Sequence, residues 1–444
     1  MTDFTGGVLS AIKEFGMLPS GSRVLVCLSG GADSVSLLSA LYELKDSLSF
    51  ELFAAHYNHR LRGGESDGDE TFCREVCDKL GVPLFVGSGD VSGEAQRRSQ
   101  GIEECARDMR YAFFYETAAR IGGARIATAH TADDNLETVL MRIARGTGLK
   151  GLCGIPPVRG DIIRPLIYLR RRDVEEYLSF RGLSHREDST NAEDGHFRNI
   201  IRHRVIPALS EYGFEPAAQA AEMTRLLRED ESFLEDLADD FIKTHPVLKA
   251  SELYALPFSL SSRVLRKAAG RDLSAEHVRA VLDLAGSGGP SDSLDLPGVT
   301  VRREYDSILF GKAEELSFEP FAISPGDSHD VTSIGLRISA AEELWTGEIN
   351  KSFTELVFKS DTVCDKILIR PRNTGDFIRL SPSSGQKSLK KLYIERKIPA
   401  HRRSAVPVVS DGCGVLGVCG IGTDLRSRAR KGDNVIKITF AEIK

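Results

Sequence analysis

RVLVCLSGGADS, residues 23–34, carries the strongest structural signal in the chain. Its first half is a short apolar run that predicts a buried β-strand, and its second half is a turn with two adjacent glycines. Leucines then recur at helical spacing over residues 35–44. A strand that passes through a glycine turn into a helix is typical of a βαβ unit, so we predict a parallel sheet.

The alternation of apolar runs with helical segments continues to about Gly148. Besides residues 23–28, we predict strands at residues 51–56, 83–86 and 125–130. The expected fold class is α/β, with a parallel-sheet, Rossmann-like domain, and ligands bind outside the carboxyl ends of the strands in such sheets. We therefore expect the chemistry directly after Leu28, His56 and His130.

In the rest of the chain, the predicted secondary structure changes twice. Residues 208–285 look wholly helical, and residues 365–440 return to short strands with turn signals and one helix at 388–397. We predict three domains: residues 1–210 form the α/β domain that carries the chemistry, residues 211–315 a mostly helical domain that links or binds substrate, and residues 316–444 a small α+β domain.

Composition describes an ordinary folded protein of 444 residues, 41% hydrophobic and 27% charged. The net charge of −6 excludes a general polycation but leaves room for a local basic face. The eight cysteines lie far apart, which argues against a disulfide scaffold. We find no signal-peptide pattern and no apolar run long enough to span a bilayer, so we predict a cytoplasmic protein without membrane contact.

The glycine turn is suited to binding phosphate. Gly30 and Gly31 let backbone N–H groups approach an anion, Ser29 and Ser34 add hydroxyl donors, and the following helix presents its positive end. The turn itself matches neither a Walker loop nor a GxGxxG motif. A turn that merely caps the next helix would explain the same residues, but its position after the first strand favours the phosphate interpretation.

An acidic cluster follows the fourth predicted strand. Asp133, Asp134 and Glu137 share one face near the start of a helix, where carboxylates are also favourable for structural reasons alone. Adjacent acids suit metal binding or accepting a proton from an amine. Basic side chains that can neutralise phosphate, or else only form solvated helix faces, occur in three segments: Arg107, Arg110 and Tyr111; Arg142 and Arg145; and FRNIIRHR at residues 197–204.

A second basic region lies near the C-terminus. Residues 365–404 contain eleven Lys or Arg against three acids, a local excess of eight positive charges. Such a surface suits the phosphates of a nucleic acid, and a solvated surface is the alternative.

SGGADS resembles the SGGxDS signature of the N-type ATP pyrophosphatases, the PP-loop superfamily. The resemblance implies that the chain binds ATP and Mg²⁺, with Asp33 helping to hold the cation, and releases pyrophosphate. Two strand-end histidines lie beside the nucleotide in this interpretation. The residues assigned to the nucleotide are Ser29, Gly30, Gly31, Ala32, Asp33, Ser34, His56 and His130.

The ordered blocks SGGADS, AHYNHRLR, RDMRYAFF, AHTADDNLET, RIARGTG, RPLI and FRNIIRHRVIP resemble the tRNA(Ile)-lysidine synthetases, as does GQKSLKKLYIERKIPAHRRSAVPVVSD near the C-terminus. The resemblance implies that ATP adenylates the wobble cytidine of tRNA(Ile) with a CAU anticodon, and that free L-lysine then displaces AMP. It also implies a homodimer. The catalytic candidates are Asp33, Arg110, Asp134, Glu137 and Arg202, and the tRNA-binding candidates are Arg198, Arg202, Lys387, Lys390, Lys391, Arg402 and Arg403.

Two alternatives stay open from the sequence. A tRNA thiolation enzyme of the same superfamily would use paired reactive cysteines or an iron–sulfur cluster, whereas Cys73 and Cys77 form only a CxxxC pair on a predicted helix. A non-catalytic nucleotide- or RNA-binding protein would have no obvious use for the acidic cluster. The metal ligands beyond Asp33 and the identity of the general base are not defined by the sequence.

Overall fold

The computed structural model describes residues 3–60, 64–186, 197–347, 352–383 and 385–443. The chain divides into two compact units, Met1–Phe233 and Leu234–Lys444.

The first unit is built on a sheet with the strand order β3-β2-β1-β4-β6-β5. β1 pairs in parallel with β2 on one side and with β4 on the other, and only the edge strand β5 runs antiparallel. The α/β, parallel-sheet fold class is thereby confirmed. The strands are β1 (Arg23–Cys27), β2 (Glu51–Asn58), β3 (Leu84–Ser88), β4 (Arg125–Ala127), β5 (Val158–Arg159) and β6 (Ile162–Ile163).

Helices cover the sheet of the first unit. A π-helical segment, Ile201–Val205, separates α9 from α10. The helices are α1 (Asp3–Glu14), α2 (Ala32–Leu48), α3 (Gly64–Leu80), α4 (Val91–Arg98), α5 (Ile102–Arg120), α6 (Ala132–Arg145), α7 (Leu149–Leu152), α8 (Arg171–Arg181), α9 (Phe197–Ile200), α10 (Ile206–Ser210) and α11 (Pro216–Thr244).

The core of this unit explains why the β1 sequence and the helix after it fold as predicted. Val24 and Val26 of β1 are fully buried, and so are Leu37, Leu38 and Leu41 of α2, all in one apolar cluster. Burial of such side chains contributes about 1.5–3 kcal/mol each, which stabilises the strand and the helix against each other. The connection between them, the glycine turn, is therefore positioned by the core.

The second unit begins with helices that pack on a small antiparallel sheet, β7-β8-β9. Val264 and Val281 of the helices share a buried cluster with Val301 of β8. The predicted helical segment of residues 208–285 is present as a series of helices. The elements are α12 (Ala250–Ala255), α13 (Phe258–Ala269), α14 (Ala275–Ser287), β7 (Ser293–Leu296), β8 (Val299–Glu304) and β9 (Ser307–Phe310).

The two-stranded sheet β15-β16 and two larger antiparallel sheets, with the orders β10-β14-β17-β18-β19 and β11-β12-β20-β13, complete the second unit. The inner faces of the two larger sheets share one apolar cluster, and the predicted helix at 388–397 is present as α15. The elements are β10 (Phe321–Ile323), β11 (Ser328–Val331), β12 (Leu336–Leu344), β13 (Glu355–Lys359), β14 (Ile367–Arg370), β15 (Phe377–Ile378), β16 (Lys387–Ser388), α15 (Leu389–Glu395), β17 (Val408–Asp411), β18 (Gly414–Val418), β19 (Gly422–Thr423) and β20 (Asn434–Glu442).

Two details differ from the predictions. The predicted strand at 125–130 ends at Ala127, because the residues after it lead directly into the cap of α6. Cys364 and Cys413 form a disulfide across 49 residues of sequence, a pairing that spacing alone did not reveal. None of the helices in the described parts of the chain combines the length and apolarity that crossing a bilayer requires.

Candidate active site

A cavity of about 430 Å³ opens at the carboxyl ends of β1, β2 and β4. This is the edge of the sheet where the sequence predicted the chemistry, next to the point where the strand order reverses between β1 and β4. The predicted site residues that line it are Ser29, Gly31, Asp33, Ser34, His56, Arg110, His130 and Asp134.

The glycine turn connects β1 to α2 and forms the floor of this cavity. Gly30 has a φ of +90°, a backbone conformation that a residue with a side chain rarely adopts. The Ser29 amide donates to the Ser34 hydroxyl over 3.2 Å, and the Ser34 hydroxyl donates to the Gly31 carbonyl over 3.0 Å. These bonds hold the turn at the amino end of α2, where an anion is favoured.

Asp33 lies in the first turn of α2. Its Oδ2 accepts from Nη1 of Arg171 over 2.8 Å, while Oδ1 is buried and has no hydrogen-bond partner. Burial raises the pKa of Asp33 to about 6; Arg171 opposes this shift, and the neighbouring Asp134 and Asp133 add to it. An unpartnered buried carboxylate oxygen is suited to a cation that arrives with a ligand.

The acidic cluster is built on the first turn of α6. The Thr131 amide donates to Oδ2 of Asp134 over 2.9 Å, and the Thr131 hydroxyl accepts from the Asp134 amide, which makes a capping box. Oδ2 of Asp133 accepts from the Arg171 amide over 2.7 Å. Burial raises the pKa of Asp133 above its usual range. Glu137 is only 1% exposed.

Two arginines from the segment after α8 contact this cluster. Nε of Arg198 and Nε of Arg202 each donate to a different oxygen of Glu137, and Nη2 of Arg198 donates to Asp134 over 2.8 Å. Arg202 lies in the π-helical segment, a type of helix that is rare and often found at functional sites. The predicted candidates Asp134, Glu137, Arg198 and Arg202 therefore form one hydrogen-bonded group.

Both strand-end histidines line the cavity. Nδ1 of His56 lies 2.9 Å from the Leu28 carbonyl, and its Nε2 is buried without a hydrogen-bond partner. Nδ1 of His130 lies 2.9 Å from the Thr128 hydroxyl, and burial lowers the pKa of His130 to about 4. His130 is therefore neutral near pH 7, able to accept or donate a hydrogen bond but not to supply positive charge.

The arginines predicted to surround the loop separate into two groups. Arg110 lines the cavity from α5 together with Tyr111, and Arg107 lies 5.0 Å from the centre of the Tyr111 ring. Arg142 does not line the cavity: its Nη1 donates to the carbonyls of Gly151 and Gly154, each over 2.9 Å. The role expected for Arg142 at phosphate was wrong, because its guanidinium holds the turn after α7.

Sequence reasoning missed Arg171. It is the second of three consecutive arginines, and nothing in that run distinguishes the side chain that reaches Asp33. The contact joins positions 138 residues apart in sequence, and a single sequence carries no signal for it.

The C-terminal basic residues are not equivalent. Lys390 and Lys391 on α15 and Arg402 are exposed. Lys387 is paired with Glu395 over 2.8 Å, and Nε of Arg403 donates to the Ile398 carbonyl over 3.0 Å. Lys390, Lys391 and Arg402 are thus the exposed residues among these five candidates, and we call them the exposed basic surface.

Two family models match the chain: a PP-loop domain over residues 7–209 and a TilS substrate C-terminal domain over residues 367–440. A tRNA(Ile)-lysidine synthase of Geobacter sulfurreducens is 34% identical, and the match covers 96% of this chain and 94% of the relative. The chain belongs to the tRNA(Ile)-lysidine synthase family. The Bacillus subtilis family member is 32% identical over 92% of each chain. The resemblance inferred from the ordered sequence blocks is thereby confirmed.

Solved structures of related folds match more weakly. A U34-tRNA thiolase of Methanococcus maripaludis with a [4Fe-4S] cluster aligns with a TM-score of 0.43 and 17% identity, over 51% of this chain and 79% of that one. A TilS C-terminal domain aligns with a TM-score of 0.27 and 23% identity, over 28% of this chain and 98% of that one. Likenesses at this level do not bear on function.

The cysteines do not suit the thiolase alternative. Cys73 and Cys77 are fully buried on α3, and burial raises the pKa of each thiol to about 12. A thiol with so high a pKa is a poor nucleophile near neutral pH. Among the described residues, no three His, Cys, Asp or Glu side chains come together as a preformed metal site.

Proposed function

We propose that this protein joins free L-lysine to C2 of the wobble cytidine in tRNA(Ile) with a CAU anticodon, forming lysidine and changing the codon read from AUG to AUA. One observation carries the proposal: the phosphate-binding turn and the acidic cluster of Asp134 and Glu137 converge at one end of the sheet, in a chain that matches lysidine synthases over nearly its full length. We further propose that it works in the cytoplasm, where ATP, lysine and tRNA are available together.

The first step activates the base. The cytidine C2 oxygen attacks the α-phosphorus of ATP, the bond to the β-phosphate oxygen breaks, and pyrophosphate leaves. The glycine turn and the amino end of α2 bind the phosphates, and Arg110 is placed to offset their charge.

Asp33 fits a role in holding Mg²⁺, since its buried Oδ1 has no partner. A magnesium ion held by one or two carboxylates and by phosphates would neutralise the charge that the leaving pyrophosphate gains. We assign no further ligand.

In the second step the ε-amine of lysine attacks C2, and AMP leaves with the former C2 oxygen. Adenylation is required because the C2 oxygen alone is a poor leaving group. Asp134 and Glu137 are suited to binding the lysine ammonium, and one of them can accept the proton that the amine loses. Arg198 and Arg202 are placed to keep these carboxylates oriented while the RNA approaches.

The substrate RNA needs a larger surface than this cavity. Arg198 and Arg202 supply positive charge beside the acidic cluster, and the exposed basic surface of Lys390, Lys391 and Arg402 supplies it in the second unit. Phosphate contacts of this kind supply affinity and register, while recognition of the base belongs to the active site.

We also propose a homodimer. Apolar side chains recur along one exposed face of α11 at heptad spacing, interrupted once by Asp230: Met223, Leu226, Phe233 and Leu237 are between 39% and 63% exposed. The same stripe on a second copy would cover it, because antiparallel helices with one heptad stripe are self-complementary.

The decisive test is incubation with ATP, labelled lysine and unmodified tRNA(Ile) with a CAU anticodon. We expect label in the RNA together with equal amounts of AMP and pyrophosphate. Asp33→Ala abolishes all three products, and a tRNA(Met) transcript with the same anticodon serves as the control for the RNA. Pyrophosphate release without lysine incorporation would contradict the proposal.

A further inference from the structure

Arg171, the first residue of α8, contacts two carboxylates of the active site. Its Nη1 donates to Oδ2 of Asp33 over 2.8 Å, and its backbone amide donates to Oδ2 of Asp133 over 2.7 Å. The backbone contact anchors the start of α8 beside α6, and the side chain extends from this anchor to α2.

Charges of both signs lie around this contact, since the Arg202 guanidinium is near enough to Asp33 to interact with it electrostatically. Asp33, Asp133 and Asp134 lie near one another, and Arg171 is the cation hydrogen-bonded to Asp33. One oxygen of Asp33 is bonded to the guanidinium, while the other is buried and unpartnered. A divalent cation that came to Asp33 would thus share its carboxylate with a guanidinium.

We propose that Arg171 is a positioning residue that stands in for the divalent cation on Asp33 while the nucleotide site is empty, and that it binds the nucleotide phosphates once the cation takes its place. This rests on the proposed function, since it assumes that Asp33 meets a metal–nucleotide complex. The Arg171 side chain is 45% exposed, and besides Asp33 it contacts Oε1 of Glu175 over 3.1 Å, so ion pairs rather than burial hold it and a rotation toward the glycine turn would exchange these carboxylates for phosphate. Guanidinium groups bind phosphate as well as they bind carboxylate.

If the ion pair of Arg171 and Asp33 only joined α8 to α2, a different result would be expected. Removing such a pair would loosen the site, so binding of the metal and of the nucleotide would weaken together. Removing a competing cation instead strengthens metal binding and weakens nucleotide binding. The affinity for the metal therefore changes in opposite directions in the two cases, and this difference distinguishes them.

The test uses the full-length protein with Mn²⁺ as the probe for the metal, measured by electron paramagnetic resonance without nucleotide. We expect Arg171→Gln to tighten Mn²⁺ binding by roughly threefold to fivefold, the scale of a partly exposed ion pair. ATP binding measured with saturating Mg²⁺ weakens by a similar factor, since Arg171 contacts the phosphates only after the cation has replaced it on Asp33. Arg171→Lys keeps the charge and gives intermediate values for both.

Arg172→Gln is the matched control, because Arg172 neighbours Arg171 on α8 but, among the described residues, forms its ion pair with the exposed Glu176. It leaves both affinities unchanged. Adding Asp33→Asn to Arg171→Gln removes the gain in Mn²⁺ binding, which locates the gain at Asp33. Unchanged or weaker Mn²⁺ binding in Arg171→Gln overturns the proposal. Neither measurement uses tRNA or lysine, so a failure of lysidine formation would be seen separately, as missing label in the RNA.

Discussion

Asp134 stabilises the local structure in addition to having the chemical role proposed for it. One of its oxygens caps the amino end of α6 through the Thr131 amide, and the other accepts from Arg198. From the sequence, the favourable position of carboxylates at the start of a helix and a chemical role were competing explanations of the acidic cluster. The geometry makes them compatible, because a capped carboxylate is held at a fixed distance from Glu137, its neighbour one turn later. Rigid placement is what a group that receives a substrate ammonium needs.

His130 makes stability depend on pH. Burial lowers its pKa to about 4 in the folded state, against 6.5 as the ordinary value, so the unfolded chain binds a proton between these pH values that the folded chain does not. Stability from this group is therefore full above pH 6.5 and falls as the pH falls toward 4. We expect His130→Gln to reduce the loss of unfolding free energy between pH 7 and 5 by about 1 kcal/mol, discounted because the side chain is partly exposed to solvent.

Denaturant unfolding at several pH values measures this difference. His277→Gln is the control, since His277 lies on α14, outside the candidate active site. An identical pH dependence in His130→Gln and the wild type would contradict the assignment of His130 as a neutral, buried group.

Within single elements, local sequence patterns indicate those parts of the site whose residues are neighbours in the chain. Strand, glycine turn and helix at residues 23–44 follow from apolar spacing and from two glycines, one of which has a positive φ. The cap of α6 follows from a threonine three residues before an aspartate. Each of these signals joins neighbours in the chain. The contact of Arg171 with Asp33 and the pairing of Cys364 with Cys413 depend on how distant elements pack, and no spacing within one sequence encodes them.

The cap of α6 is a second prediction, because it joins helix stability to the position of Asp134. Thr131→Ala removes the hydroxyl that accepts from the Asp134 amide, and we expect a loss of about 1 kcal/mol in unfolding free energy. The change also removes the 3.2 Å bond from the Thr131 hydroxyl to Oδ2 of Asp134, one of those that fix this carboxylate, and should therefore lower the rate of lysine incorporation roughly tenfold, since misplacement of a reacting group is costly.

Ser274→Ala is the matched control for that variant. Ser274 caps α14 by accepting from the His277 amide over 3.1 Å, so its loss should destabilise the protein to a similar extent. Lysine incorporation at a temperature where both variants are folded should fall only for Thr131→Ala. Equal rates in the two variants would show that the cap is structural alone.

For the whole molecule, the stripe on α11 predicts the oligomeric state. We expect sedimentation equilibrium to show a dimer, and the double variant Leu226→Glu, Phe233→Glu to be monomeric, because buried carboxylates without partners oppose association by several kcal/mol. Phe180→Glu is the control, since Phe180 is 73% exposed on α8 and lies outside the stripe. A wild-type monomer at micromolar concentration would contradict the proposed homodimer.

The positive charge of the exposed basic surface of Lys390, Lys391 and Arg402 contrasts with the net charge of −6 of the whole chain. A chain that repels RNA on average needs concentrated positive charge wherever it binds RNA, and the log–log slope of affinity against salt becomes shallower by about 0.9 for every RNA phosphate that is no longer neutralised. We expect replacement of all three residues by Ala to weaken tRNA binding and to reduce that slope by roughly 3. ATP affinity should not change, and replacement of the exposed Lys13 and Lys79 in the first unit should leave tRNA binding as it is. If the slope stayed the same in filter-binding titrations from low to high salt, these residues would be solvated surface, and the RNA phosphates would have to be bound elsewhere.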